Sequence, residues 1–317
     1  MKINKILVIF CLIIPLSSCS DDDKAPIEPG LTPFEGHIIY EYTSDVKIID
    51  LSNWEESSFF SFNAYSTNGW MVSKDGKLRL ISEREPGTFR ETVFRLVDAA
   101  DGTIIKEFEY VPKVGTNQNY TGQLSYDNSL ILINPDFDNG IVIMDADGEV
   151  KYRLDAINDE VLGIDDKAYW LPDNSILVAF NDQYILKSDP PYSSLSLVKE
   201  MNYEQWGNLR VSMDGQKISL YIGNNIYLMN VDGSELVQVT ESDGTENFGE
   251  FSPDGRYLLV GADYVHAPNA GLSNWRLKII PADGKLYNLD EDTEVIPVVP
   301  KDSDSPVKAG GPTFWRP

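Results

Sequence analysis

Short apolar runs rich in β-branched residues alternate with polar turns along most of the chain. Few of these runs show the three-to-four-residue spacing of an amphipathic helix, and most are about as long as a single strand. The pattern therefore predicts an all-β protein. The clearest runs are Lys77–Ile81, Ser129–Asn134, Ser175–Phe180, Lys217–Ile222 and Arg256–Val260.

A repeated turn precedes each of these runs. It reads as an apolar residue followed by Ser-x-Asp-Gly or a close variant, and its aspartates are 52, 46, 41 and 40 residues apart. Repeats of about 40–50 residues are typical of one four-stranded propeller blade. Further Asp-Gly pairs lie between later β runs and predict tight hairpins. The repeated aspartates are Asp75, Asp127, Asp173, Asp214 and Asp254.

The turn and its spacing resemble the WD40-like propeller repeats of the TolB family. The copy that matches best spans Phe248–Leu259, and the copy beginning at Val211 also matches well. The copies at Leu124 and Leu171 depart from the pattern. The resemblance covers nearly all of residues 34–317, and it implies a fold without implying an activity.

The two ends of the repeat region together predict one further blade. Gly311–Pro317 resembles an innermost strand that stops where the Ser-x-Asp-Gly turn would begin. Three predicted strands, His37–Tyr42, Val46–Leu51 and Ser58–Phe62, lack an innermost partner. We therefore expect a six-bladed β-propeller with four antiparallel strands per blade, closed by the C-terminal strand joining the N-terminal blade.

The N-terminal residues are typical of an exported protein. Lys2 and Lys5 precede the apolar run Ile6–Leu16, which is too short to span a membrane. Leu16-Ser17-Ser18-Cys19 resembles the lipobox of bacterial lipoproteins, and this implies lipidation of Cys19. Ser20-Asp21-Asp22-Asp23 then resembles the surface-export signal of Bacteroidetes lipoproteins.

These signals predict three segments and a location. Residues 1–18 are expected to form a signal peptide, residues 19–33 a lipidated, acidic and proline-rich tether, and residues 34–317 the propeller. The protein is expected to be lipid-anchored at the outer membrane and to face the cell surface. A periplasm-facing orientation is the alternative.

Composition restricts the possible partners. Fifty acidic residues outnumber 26 Lys and Arg, giving a net charge of −24, so nucleic acid is an unfavourable partner and membrane contact is expected through the lipid alone. The two histidines, His37 and His266, are predicted at opposite ends of the propeller. Asp145-x-Asp147-Gly148 fits a hairpin better than a calcium loop. We assign no catalytic residue, metal ligand or cofactor, although a catalytic carboxylate pair stays open.

The binding site is predicted at the propeller face that carries the longer loops. Rows of alternate residues near the starts of the innermost strands should point toward the mouth of the central channel. Trp206 precedes its strand and is expected to be uncovered, so that it could stack on a sugar or anchor a protein; packing of the aromatic residues between blades is the alternative. The predicted ligand-binding residues are Gln123, Lys167, Tyr169, Trp206, Asn208, Arg210, Phe248 and Glu250.

Three functions fit these observations. The first is a non-catalytic binding or scaffold propeller at the cell envelope, with a protein partner or a glycan at the loop face. The second is a carbohydrate-active enzyme, a glycosidase or lyase, that uses carboxylates at the channel mouth. The third is a periplasmic envelope factor similar to TolB.

Overall fold

The computed structural model describes residues 34–84, 87, 91–113, 120–134, 140–163, 165–266 and 273–317. Within these ranges the structure contains β-strands and no helix. The strands form six antiparallel sheets arranged as the blades of a propeller. The predicted fold is therefore confirmed. The predicted signal peptide and tether lie outside the described residues. No described helix is long and apolar enough to cross a membrane.

The blades are numbered in chain order, and strands A to D run from the centre of each blade outward. Blade 1 contains β1 (His37–Tyr42), β2 (Asp45–Asp50), β3 (Glu55–Ser61) and, as strand A, the last strand of the chain. Blade 2 contains β4 (Thr67–Val72), β5 (Leu78–Arg84), β6 (Thr92–Asp98) and β7 (Ile104–Tyr110). Blade 3 contains β8 (Gly122–Leu124), β9 (Leu130–Ile133), β10 (Ile141–Asp145) and β11 (Val150–Leu154).

The second half of the ring repeats this order. A small hairpin, β12 (Ala156–Ile157) with β13 (Glu160–Val161), lies between blades 3 and 4. Blade 4 contains β14 (Lys167–Trp170), β15 (Ile176–Phe180), β16 (Tyr184–Ser188) and β17 (Ser196–Glu200). Blade 5 contains β18 (Trp206–Val211), β19 (Lys217–Ile222), β20 (Asn225–Asn230) and β21 (Val237–Gln238).

Blade 6 carries extra pairings at its outer side. β22 (Thr240–Glu241) runs parallel to β26 (Tyr287–Asn288). The main sheet contains β23 (Gly249–Phe251), β24 (Tyr257–Val265), β25 (Asn274–Pro281) and β27 (Ile296–Pro297), and β28 (Lys308–Ala309) also pairs with β25. The last strand of the chain is β29 (Thr313–Arg316).

The repeated turn is a self-contained hydrogen-bonded unit between strands A and B. In blade 2, the Ser73 hydroxyl donates to Asp75 Oδ1 over 2.6 Å, and the Leu78 amide donates to the same hydroxyl over 2.9 Å. Gly76 has a φ of +75°, which favours glycine. Burial alone would raise the pKa of Asp75, but hydrogen bonds from the Ser73 hydroxyl, the Lys77 amide and the Asn128 side chain lower it. The same bonds recur at Ser125 with Asp127, Ser212 with Asp214, and Ser252 with Asp254.

The ring is closed by β29, as the sequence predicts. β29 pairs antiparallel with β1, placing Trp315 opposite Ile38 and Phe314 opposite Ile39. Trp315 is 2% exposed and lies against Tyr257 of blade 6, while Phe314 meets Trp70 of blade 2 edge-on. The closing strand therefore joins blade 1 to both neighbouring blades, and it brings Arg316 to the channel.

The core consists of apolar layers between adjacent blades rather than one central mass. Each layer combines residues from the facing sheets of neighbouring blades. Because the blades meet face to face, the central axis is left to the edges of the A strands. Side chains near this axis therefore escape the apolar layers and can form a polar site.

Candidate functional site

A cavity of about 580 Å³ lies on the central axis. Thr43 and Ala64 lie at its mouth, where the B–C turn and the D–A connection of blades 1 and 2 reach the loop face. Lys74, Tyr126 and Arg316 line its other end. Lys74 and Tyr126 lie just after the A strands of blades 2 and 3, and Arg316 is the last residue of the A strand of blade 1. The D–A and B–C connections lie on the loop face, and the A–B and C–D turns lie on the opposite face, called the tight-turn face. The cavity therefore follows the A strands from the loop face toward the tight-turn face.

Tyr126 crosses the channel at the tight-turn end. Its hydroxyl donates to the Val211 carbonyl oxygen over 3.1 Å, which joins blade 3 to blade 5. These blades are not neighbours in the ring, so the contact must span the axis. Burial raises the pKa of Tyr126, which keeps its hydroxyl protonated as a donor at neutral pH. This end of the cavity is called the floor below.

A buried carboxylate at the floor faces three cations. Glu250 is 2% exposed, and its Oε1 lies 2.6 Å from Arg316 Nη1 and 4.0 Å from Lys74 Nζ. Its Oε2 lies 3.5 Å from Arg210 Nε. Burial alone would raise the pKa of Glu250, but Lys74, Arg316 and Arg210 together lower it. Glu250 is therefore ionised at neutral pH.

The floor carries a surplus of positive charge. Three cations, Lys74, Arg210 and Arg316, meet the single carboxylate of Glu250 there. Lys74 Nζ lies 5.0 Å from the centre of the Tyr126 ring, in a cation–π contact. Burial lowers the pKa of Lys74 to about 8, although Glu250 acts in the opposite direction. Lys74 is thus still mostly protonated at pH 7.

Three of the predicted site residues line the central cavity. They are Gln123, Tyr169 and Arg210. Gln123 donates from Nε2 to the Ala168 carbonyl oxygen over 3.4 Å, which positions its amide on the wall. Burial raises the pKa of Tyr169 to about 12, so that its hydroxyl stays neutral. Glu250 is not among the lining residues, but it forms ion pairs with Lys74, Arg210 and Arg316, which do line the cavity.

A smaller pocket of about 340 Å³ between blades 4 and 5 collects the other polar candidates. Lys167, Trp206 and Asn208 line it, and Tyr169 lines both cavities. Burial lowers the pKa of Lys167. Asn208 is exposed, and its side-chain amide donates to the Asn247 carbonyl oxygen over 2.9 Å. The predicted site is therefore divided between two openings near the same face.

Two predicted aromatic residues are less accessible than expected. The expectation that Trp206 is uncovered is wrong: it is 7% exposed and donates from Nε1 to the Asp182 carbonyl oxygen over 2.8 Å. Phe248 is 3% exposed, meets Trp275 edge-on at 5.6 Å and lines neither cavity. The interblade layers cover both rings, because apolar surface beside a neighbouring sheet is more stable out of water.

The floor residues Lys74, Tyr126 and Arg316 are absent from the predicted set. Lys74 and Tyr126 occupy the variable position of the Ser-x-Asp-Gly turn, where other copies have Pro172, Met213 or Pro253. A cation and a tyrosine in that position are a sequence signal that could have identified them. Arg316 follows from the closure, since β29 must end beside the same turns.

The structure describes no metal centre. No group of three or more His, Cys, Asp or Glu side chains in the described ranges could hold a metal ion. His37 lies at the tight-turn end, with Nδ1 3.2 Å from the Pro317 carbonyl oxygen, whereas His266 follows β24 at the loop face. Asp145 accepts the Asp147 and Glu149 amides, as expected of a hairpin turn.

Comparisons with known proteins support the fold. No family model matches the chain, and no curated protein matches it. Similar solved structures include a putative TolB from Agrobacterium tumefaciens, with 16% identity, a TM-score of 0.54, and coverage of 80% of this chain and 87% of that one. An oligogalacturonate lyase from Vibrio parahaemolyticus has 16% identity, a TM-score of 0.48, and coverage of 74% and 76% respectively.

TolB from Acinetobacter baumannii is similar at 20% identity with a TM-score of 0.55. The alignment covers 80% of this chain and 63% of that chain, so the present protein matches less than two thirds of that TolB. At such identities the likeness concerns the fold alone. The TolB-like propeller expected from the repeats is therefore confirmed as an architecture.

Proposed function

We propose that this protein is a cell-envelope lipoprotein whose propeller binds a protein partner or a glycan, without catalysis, at the loop face. The observation that carries the proposal is the axial cavity, which opens at the loop face and is crossed at its floor by Tyr126 and the ion pairs of Glu250. Its volume of about 580 Å³ is within the range of ligand sites. A narrow protruding group fits such a cavity better than a flat surface does.

The charges at the floor favour binding over catalysis. Glu250 has a lowered pKa and is held by three cations, so it is a poor proton donor.

One observation favours the second candidate, a carbohydrate-active enzyme. Glu41 lines the cavity, accepts a hydrogen bond from Trp70 Nε1 over 2.6 Å, and has a pKa raised by burial. A raised pKa is a property of general acids.

Blocking the mouth of the cavity tests the proposal. Thr121 is exposed and lines the cavity, so Thr121→Trp should fill the opening without disturbing the interblade layers. We expect this variant to lose about tenfold or more in affinity for the glycan or envelope protein that the soluble domain captures, because the indole ring would occupy the space through which the ligand enters. Glycan arrays and quantitative capture from envelope extracts measure the loss.

The matched control is Thr103→Trp, which places the same side chain on an exposed C–D turn at the other face. Equal capture by both variants would contradict a loop-face cavity site. A captured oligosaccharide that is shortened by the wild type but left intact by Glu41→Gln would instead favour the enzyme.

The proposed anchor is tested separately. Cys19→Ser should move the protein from the membrane fraction to the soluble fraction, because the proposed lipid would be lost and membrane contact is expected through that lipid. Cys11→Ser, within the proposed signal peptide, is the control and should remain in the membrane. If the purified Cys19→Ser variant still bound to membranes, lipidation would be contradicted. Protease treatment of intact cells is a separate test, which distinguishes a surface location from a periplasmic one.

A further inference from the structure

We infer that the floor of the axial cavity binds an oxyanion, the carboxylate, sulfate or phosphate group of a small acid or of an acidic sugar unit. The inference rests on the proposed function and specifies the ligand class of the same cavity. It depends on a local excess of positive charge in a protein whose net charge is −24.

The charges at the floor do not balance. Lys74, Arg210 and Arg316 carry three positive charges, and Glu250 carries one negative charge, which leaves a surplus of two. Glu250 and Arg316 are each 2% exposed, the Lys74 side chain is 17% exposed, and the Arg210 side chain is 32% exposed. Charges removed from water are stable only when they are paired, so a cluster that served structure alone would need fewer cations. A bound anion would supply the missing negative charge.

Among the described residues, the nearby aspartates form no ion pair with these three cations, whose ion pairs all go to Glu250. Asp75, in the same turn as Lys74, directs Oδ1 to the Ser73 hydroxyl and to the Lys77 amide. Asp214, in the corresponding turn of blade 5, accepts hydrogen bonds from the Ser212 hydroxyl and the Gln216 amide. The charged groups acting on Lys74 are Glu250, Arg316 and Arg210.

Lys74 has unused capacity for hydrogen bonding at the floor. Lys74 lines the cavity, and the described residues give its ammonium group only an ion pair at 4.0 Å and the face of the Tyr126 ring. Arg210 Nε is buried and faces Glu250 Oε2 at 3.5 Å, and neither atom has a closer partner among the described residues, so Arg210 Nε is directed to Glu250. Lys74 is thus available to donate charge-assisted hydrogen bonds to an oxyanion.

The depth of the floor restricts the shape of the ligand. The A strand of blade 2, β4, separates the mouth from Lys74 and has six residues, or roughly 20 Å of extended chain. A folded protein surface cannot follow the channel to that depth. The ligand must therefore present its anionic group on a narrow unit, such as a sugar ring.

Calorimetric titration with D-glucuronate, inorganic sulfate, inorganic phosphate and D-glucose tests the inference. We expect at least one of the anions to bind and the neutral sugar to bind at least about tenfold more weakly, since each charge-assisted hydrogen bond contributes appreciably. The arm that binds most tightly distinguishes carboxylate from sulfate and phosphate. Lys74→Met should weaken anion binding by about tenfold or more.

Lys77→Met is the matched control, because it removes the same charge from an exposed position three residues away. It should leave anion affinity unchanged. Wild-type affinity should also fall as the pH rises through about 8, where Lys74 loses its proton while Glu250 stays ionised. This profile needs no variant, so a folding defect in Lys74→Met could not imitate it.

Absence of anion binding at millimolar concentrations, or equal losses in Lys74→Met and Lys77→Met, would overturn the inference. The proposed function fails differently. If Thr121→Trp abolishes capture while no anion binds, the loop-face site stands and the anion inference is wrong. If anions bind through Lys74 but Thr121→Trp and Thr103→Trp capture equally, the anion inference stands and the partner binds elsewhere.

Discussion

Replacement of Glu250 by Gln should lower the free energy of unfolding by about 3–5 kcal/mol at pH 7, the usual cost of removing one partner from a buried ion pair. The variant keeps the shape of the side chain but leaves Arg316, which is 2% exposed, without its carboxylate at 2.6 Å. It also raises the surplus at the floor from two positive charges to three. Denaturant titration followed by tryptophan fluorescence measures the change.

The pH dependence separates this effect from a packing defect. Because the pKa of Glu250 is lowered from its ordinary value of 4.5, the carboxylate stabilises the folded state fully above that value. The stabilisation is lost as the pH falls through the lower pKa of the folded state. The difference between wild type and variant should therefore narrow below about pH 4.5.

Glu235→Gln is the control for Glu250→Gln. Glu235 pairs with Lys217 at 3.8 Å on the surface, with its side chain 73% exposed, so the change should cost no more than about 1 kcal/mol. Equal stability of the two variants at pH 7 would show that the axial network contributes little to the fold.

Deletion of Ala309–Pro317 should prevent the protein from forming a stable ring. The deletion removes β29, whose Phe314 and Trp315 are buried against blades 1, 2 and 6. Truncation of one buried Phe or Trp to Ala costs about 3–5 kcal/mol, and a domain is typically stable by only about 5–15 kcal/mol. The deletion also exposes the inner edge of β1, which pairs with β29 in the intact ring. Circular dichroism and thermal melting measure the result.

Point variants make the same test without removing a strand. Trp315→Ala should lower the stability by about 3–5 kcal/mol, whereas Tyr65→Ala, at a position 92% exposed, should change it little. A deleted protein that melts like the parent would mean that β29 does not hold the ring closed.

The repeat pattern predicted the architecture because each blade depends on local interactions. The Ser73 and Asp75 side chains bond to their own turn, so the same residues in the same order give the same hairpin wherever they occur. Regular spacing of such turns gives the number of blades. Closure by Thr313–Arg316 followed from the sequence as well, since an unpaired inner strand at one end matched a missing one at the other.

The candidate site was predicted only in part. Strand alternation placed Gln123, Tyr169 and Arg210 correctly beside the channel, because the direction of a side chain follows from its position in the strand. Alternation could not show that Trp206 is covered by blade 4, where the Asp182 carbonyl oxygen accepts its Nε1 proton. Cover of that kind depends on the distance and twist between neighbouring blades.

The sequence by itself determined the β-strands, the tight turns, the six blades and the strand that closes them, since these follow from contacts between residues near in sequence and from one pairing of the ends. Only the tertiary structure decided that Lys74, Tyr126, Arg210, Glu250 and Arg316 meet at one floor. These five residues come from five different blades, and the ring brings them together across the axis. The contacts of Glu250 with Arg316 and Lys74 join blade 6 to blades 1 and 2, so these contacts form only when the ring is closed.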